Sequence, residues 1–179
     1  MKMPILIAIL CAATTIHAQT FTLKSSQIGG QATCELISNR YGCDGLNLSP
    51  QLTWENAPPE TKSFAVTVFD ESAPTGSGWW HWIIFNIPDS VSSLKEGAGD
   101  LSLQLAPAGS IQSTTALQRQ GYGGPCPPQG DGFHKYVVTV YALKTPDLEL
   151  PPTALPATVA YLIEQNVIEK SSLIFYYKR

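Results

Sequence analysis

Residues able to do chemistry are scarce in this chain. Beyond its apolar N-terminal stretch there are two histidines, His81 and His134, and each stands where a strand-like run begins. His81 opens "HWIIFNI". His134 closes "GYGGPCPPQGDGFH" (Gly121–His134), which holds five glycines and three prolines. Acids accompany them: Asp70 and Glu71 in "FDESAPTGSG", and Asp131 in "PPQGDG". Imidazoles donate hydrogen bonds and titrate near neutrality, so two of them with an orienting carboxylate suit reception of an anion. The Gly/Pro segment suits a rigid pocket wall. Proline fixes φ and lacks an N–H, glycine lets a ligand approach the backbone, and the remaining N–H groups are expected to point inward at the anion.

Other chemistries find less support. No G-x-S-x-G occurs, so a hydrolase nucleophile elbow is absent and Ser77 has no motif around it. Asp70 and Glu71 are adjacent, and on a strand end their side chains diverge, so they do not form an acid/base pair. Histidine and carboxylate are zinc ligands, but neither H-x-x-x-H nor C-x-x-C spacing is present, and no metal is expected. Nor is there a P-loop or dinucleotide fingerprint, and no cofactor is expected. Each residue also has a plain structural role open to it. His81, inside "WWHW", could be a packed core histidine, Asp70 could cap a turn, and Trp79 and Trp82 could serve packing alone.

Strands must position these residues. Ser63–Phe69, His81–Ile87, Lys135–Leu143 and Ser172–Lys178 are rich in β-branched and aromatic residues and bounded by turn formers. Leu101–Ala106 ("LSLQLA") alternates as a strand would. Lys135–Leu143 is almost continuously apolar, the pattern of a strand covered on both faces. One helix is expected, Pro156–Ile168, with proline in its first turn and Val159, Leu162, Ile163 and Val167 along one face. Short strands with turn-rich connections predict a mainly β, sandwich-like fold in a single domain. Strand ends meet at the rims of a sandwich. Asp70 ends one strand and His81 begins the next, so a hairpin-like connection brings them to one rim. His134 joins them there if its strand runs antiparallel to Ser63–Phe69.

The chain has 179 residues and a net charge of −3, with no basic run or stripe, which argues against nucleic-acid binding. Lys2, the apolar "MPILIAILCAATTI" and Ala18 read as a secretory signal of roughly 18 residues. Its core is too short to span a bilayer, and no later stretch is long enough. The expected mature domain is therefore residues 19–179, periplasmic or secreted, with a charge of −4 once Lys2 is removed. Leu10 precedes Cys11 where a lipidation site wants a small residue, so ordinary cleavage is expected over lipid attachment. Cys34, Cys43 and Cys126 remain. Export would place them in an oxidising compartment, where one disulfide is expected, its pairing left open by the spacing.

"LNLSPQLTW", "FDESAPTGSGWWHWIIFNIP" and "GYGGPCPPQGDGFHKYVVTVYAL", in this order, resemble the phosphatidylethanolamine-binding protein (PEBP) family, and within it the bacterial Raf-kinase-inhibitor-like branch of the YbhB/YbcL type. The likeness runs from about Leu46 to the C-terminal "SSLIFYYKR". It implies a Greek-key antiparallel β-sandwich with a few peripheral helices, and a small rim pocket for phosphate, phosphorylethanolamine or a similar phospholipid headgroup. The positions matching that pocket are Asp70, Ala73, Pro74, His81, Gly124, Pro127, Pro128, His134 and Tyr136. The bond before Pro74 is a candidate for the cis form. The family motif usually reads D-P-D-A-P. Here Ser72 replaces its second aspartate, which is expected to ease anion binding and to remove a partner for a cationic amine. Cys126 falls in the pocket wall and Cys43 just ahead of the first motif, so a Cys43–Cys126 bridge is expected. It leaves Cys34 either buried or free to pair with a second copy as a homodimer. The resemblance implies a binding protein rather than an enzyme. The alternative is a protein–protein regulator of the kinase- or protease-inhibitor kind, or an extracellular effector, acting through an exposed surface such as Asp147–Pro156.

Overall fold

The computed structural model of the protein describes residues 19–179, so the expected leader and Cys11 lie outside the described residues. In chain order the elements are β1 (Thr22–Lys24), β2 (Gly30–Gln31), β3 (Leu52–Glu55), β4 (Ser63–Asp70), β5 (Trp79–Pro88), β6 (Ser93–Leu94), a 3-10 turn (Leu101–Leu103), β7 (Ile111–Gln112), β8 (His134–Leu143), α1 (Pro156–Asn166) and β9 (Val167–Tyr177). They form two sheets, a small one ordered β1-β3-β6 and a large one ordered β2-β9-β8-β4-β5-β7. The fold is mainly β and sandwich-like, as expected.

The apolar runs follow from burial on both faces of the large sheet. Phe64, Val66, Val68, Trp82, Ile84, Val138 and Val140 meet Leu23, Leu52 and Trp54 from the small sheet and Phe21 just ahead of it. On the opposite face Ala65, Ile83, Phe85, Tyr141 and Leu143 are covered by Leu148 and by Val159 and Ile163 of α1. A sheet buried on both sides needs no polar alternation, which is why β4, β5 and β8 read as continuous hydrophobic sequence. β4 is antiparallel to both β5 and β8. This is the condition that carries Asp70, the start of β5 and the start of β8 to one rim.

Three local expectations are corrected. Leu101–Ala106 is not a strand. The Asp100 carboxylate accepts from Ser102 N and caps the turn, and Gln104 closes it at φ 52°. Side-chain capping has outcompeted a ladder here, and Leu101, Leu103 and Leu105 are left partly exposed. The helix ends at Asn166, not Ile168, because Val167 pairs with Leu143 at the end of the β8–β9 ladder. The peptide before Pro74 is trans, with no cis bond among the described residues, and the turn closes through Thr75 N donating to Ala73 O at 2.8 Å.

Cys43 and Cys126 are bonded, and among the described residues Cys34 is the free thiol; it is exposed, so the buried alternative does not hold. The bridge spans 83 residues of sequence. By the loop-closure argument it stabilises the fold by about 4.5 kcal/mol. We expect Cys43→Ala/Cys126→Ala to lose most of that in urea unfolding. Leu103→Ala, which truncates a side chain in the supposed strand, should shift stability by less than about 0.5 kcal/mol.

Candidate functional site

Register builds the site. Asp70, the last residue of β4, pairs with Trp79 on β5 and with Tyr136 on β8, so these three share a face at one rim. His134 lies two residues before Tyr136 and joins the same face. His81 arrives differently. The β4–β5 pairing passes from Val68↔Trp82 to Phe69↔Trp80, which leaves His81 as the extra residue of a bulge. Strict alternation would have set His81 and Trp82 on opposite faces. The bulge re-aims the imidazole so that it meets the Tyr136 ring edge-on at 5.3 Å.

Together they line a cavity of about 560 Å³. Asp70, Ala73, Pro74, His81, Gly124, Pro127, Pro128, His134 and Tyr136 all face it. The sequence reading did not single out Tyr41, Ala116, Leu117 and Gln118, which complete the wall from loops with no periodic pattern. No lysine or arginine lines this cavity.

Asp70 is 3 % exposed and His134 3 %. The His134 Nδ1–H donates to Asp70 Oδ2 at 2.7 Å, and Ser72 N donates to Asp70 Oδ1 at 2.8 Å. His134 Nε2 lies 3.2 Å from Asp131 Oδ2. The Tyr136 hydroxyl is buried without a hydrogen-bond partner. Burial first, and then the Asp70 charge, push its pKa well above the ordinary tyrosine value. The Tyr136 ring stacks on Phe175 at 5.1 Å.

His81 is held by an exchange of bonds with the Gly/Pro wall. Its Nδ1–H donates to Gly123 O at 2.6 Å, and Gly123 N donates back to His81 O at 2.9 Å. Gly124 N donates to Asn47 Oδ1 at 2.8 Å. The Gly123 and Gly124 N–H groups are thus consumed in fixing the wall, not left pointing inward as expected. With Nδ1 occupied, Nε2 is the remaining polar atom of the His81 ring. Burial holds the pKa of His81 below the ordinary histidine value, with the Gly123 carbonyl and the Asp70 charge opposing that shift.

The wall needs glycine at position 124 for a steric reason. A Cβ there would sit 2.3 Å from Leu36 O and 2.6 Å from Ser38 N. Those atoms belong to a segment tied to the wall by Ser38 N donating to Pro125 O, by Tyr122 Oη donating to Leu36 O, and by the Cys43–Cys126 bridge.

The family model for phosphatidylethanolamine-binding protein matches residues 25–178. The chain belongs to the phosphatidylethanolamine-binding protein family. YbcL of Escherichia coli K12 is 40% identical over 178 residues, covering 97% of each chain. The crystal structure of E. coli YbcL, described as a new member of the mammalian PEBP family, superposes with a TM-score of 0.86 at 41% identity, covering 89% of this chain and 98% of that one. A putative lipoprotein, LppC of Mycobacterium tuberculosis H37Rv, is 33% identical over 169 residues, covering 90% of this chain and 78% of its own length. The PEBP fold expected from the sequence is therefore the fold observed.

One family departure takes a different meaning in this PEBP chain. Ser72 is exposed and does not line the cavity. Its hydroxyl accepts from Lys135 N at 3.0 Å, tying the D-x-x-A-P turn to the start of β8. The substitution therefore bears on how the turn is held, rather than on charge inside the pocket.

We expect Gly124→Ala to destabilise the protein by about 3 kcal/mol through overpacking against fixed backbone. Gly29→Ala, at an open site where a Cβ meets nothing within 4 Å, should change stability by less than about 0.5 kcal/mol. Paired urea melts check this.

Proposed function

We propose that this is an exported binding protein, and not an enzyme, whose rim pocket receives a phosphate-type anion, either free or as a phospholipid headgroup. The observation that carries the reading is the convergence of a buried Asp70–His134 pair and a bulge-aimed His81 on one cavity. His134 supplies donors and Asp70 fixes its orientation. The apolar lip of Trp79, Ala116 and Leu117 suits the organic part of a phosphomonoester. Export is supported by the leader-like residues 1–18, by the disulfide and by the likeness to a putative lipoprotein.

His81 gives the site a discriminating feature. In its neutral form Nε2 can only accept, so it favours a ligand oxygen that still carries hydrogen, as a protonated phosphate does. Sulfate carries none. It gains a second donor only when His81 becomes imidazolium, and the lowered pKa places that below the usual histidine range. Sulfate affinity should therefore rise as pH falls through the His81 titration and be weak at neutral pH. Phosphate should bind at neutral pH. Isothermal titration with both anions across this range, beside ¹³C shifts of the His81 ring, checks the sign. Sulfate binding that is flat with pH contradicts it.

Asp131 holds its carboxylate against His134 Nε2, where a ligand oxygen would otherwise sit. Asp131→Asn should tighten phosphate binding by roughly three- to tenfold, about 1 kcal/mol. Asp70→Asn, which removes the buried partner of His134, should weaken it at least tenfold. A protein–protein regulator working through the exposed part of Asp147–Pro156 would be indifferent to Asp70→Asn in its partner assay.

A further inference from the structure

The chain has three arginines, and two of them, Arg40 and Arg119, line one cleft of about 380 Å³ on the far side of the Tyr41–Leu117 wall from the histidine pocket. Among the described residues neither guanidinium makes an ion pair or a side-chain hydrogen bond. Their backbones are nonetheless held. Arg119 O accepts from both Thr115 N and Thr115 Oγ1. Arg40 N donates to Ser38 Oγ, and Arg40 O accepts from Cys43 N, whose side chain is bonded to Cys126. Two guanidiniums without a partner thus line the same cleft on fixed turns, and the planar fork of each matches phosphate or carboxylate oxygens. The one carboxylate in the cleft, Asp100, is engaged by Ser102 N and Oγ, so the cleft keeps a net positive charge.

A second feature points to a ligand. Tyr41 is 59% exposed and sits at φ 58°, in the left-handed region that bulky residues avoid. Its carbonyl is gripped by Arg179 Nη1 at 2.9 Å. Backbone strain of this kind is retained where surrounding structure enforces it, and it concentrates at binding sites. Here it holds an aromatic face in solvent between the two clefts. The rest of the lining mixes apolar Leu101 and Leu117 with polar groups that keep spare hydrogen-bonding capacity: the Asn39 amide, the Gln120 side-chain carbonyl, whose Nε2 is spent on Pro152 O, and the Ser38 hydroxyl, which so far only accepts, from Arg40 N. A bare inorganic anion would use the guanidiniums alone. A ligand with an anionic group and several hydroxyls would use all of it, laying its C–H face on Tyr41.

We propose that Arg40, Tyr41 and Arg119 form a second binding site, separate from the histidine pocket, for a small anionic carbohydrate. Sugar phosphates and uronates share the required chemistry. The proposal does not rest on the reading of the histidine pocket.

The test is a titration of the residue 19–179 protein, followed through arginine Nε resonances, with glucose 6-phosphate, glucuronate, glucose and inorganic phosphate. Saturable shifts of Arg40 and Arg119 are expected with one or both anionic sugars. Glucose should give none, and phosphate should bind at least about tenfold more weakly than the better sugar. The two anionic sugars distinguish a phosphate from a carboxylate source. Arg40→Gln/Arg119→Gln, with folding verified by an unchanged backbone amide spectrum, should weaken binding at least about tenfold. Asp70→Asn should leave it unchanged, so failure of the histidine-pocket reading is scored separately. No saturable shift with either anionic sugar, an equal response to glucose, or undiminished binding by the folded double variant would overturn the proposal.

Discussion

Asp70 is almost fully buried, and a carboxylate in such a place is costly unless its oxygens are taken up. One oxygen receives the His134 imidazole and the other the Ser72 amide. Meeting those two demands dictates much of this end of the molecule. It requires β8 to begin beside the end of β4, and the D-x-x-A-P turn to fold back over the strand it leaves. Ser72 then reaches the amide of Lys135, closing a ring of contacts around one charge. Tyr136 is drawn beneath the pair, its hydroxyl left without a partner and its ring stacked on Phe175.

The opposite wall rests on a different principle, close backbone approach with no buried charge. Gly124 lies hard against the Leu36–Ser38 backbone, while the Gly123 N–H is taken by His81 O and the Gly124 N–H by Asn47 Oδ1. The Gly/Pro segment therefore serves mainly to clamp. It fixes His81 from outside, while the bulge in β5 fixes it from within. An imidazole held at both ends keeps its orientation without a carboxylate partner, and its polarity is then set by burial and by the Gly123 carbonyl.

The sequence disclosed what depends on residue type and missed what depends on register. Asp70, His81 and His134 stood out because chemically capable residues at strand ends are scarce here, and the continuous apolar runs announced a sheet covered on both faces. Period-two reasoning could not show that His81 is an inserted residue, since a bulge leaves no compositional mark. It also misread Leu101–Ala106, where leucine alternates at the surface and the Asp100 cap decides the conformation. The expected inward-facing amides failed for a related cause. Glycine spacing reveals that backbone comes close to something, but not whether the neighbour is a ligand or the protein itself. Tyr41 was invisible because it comes from an irregular loop, placed by a disulfide and by Arg179 rather than by any pattern.

The pairing of Asp70 with His134 across 64 residues has a kinetic consequence. β4 and β5 are neighbours in sequence and can associate early, whereas β8 must close a long loop before it can dock on β4. The rim cavity therefore does not exist in any species in which β8 has not docked. Contacts formed after the folding barrier act on the rate of unfolding rather than of folding. A ligand seated between these strands would lengthen the lifetime of the folded molecule while leaving the time taken to reach it nearly unchanged.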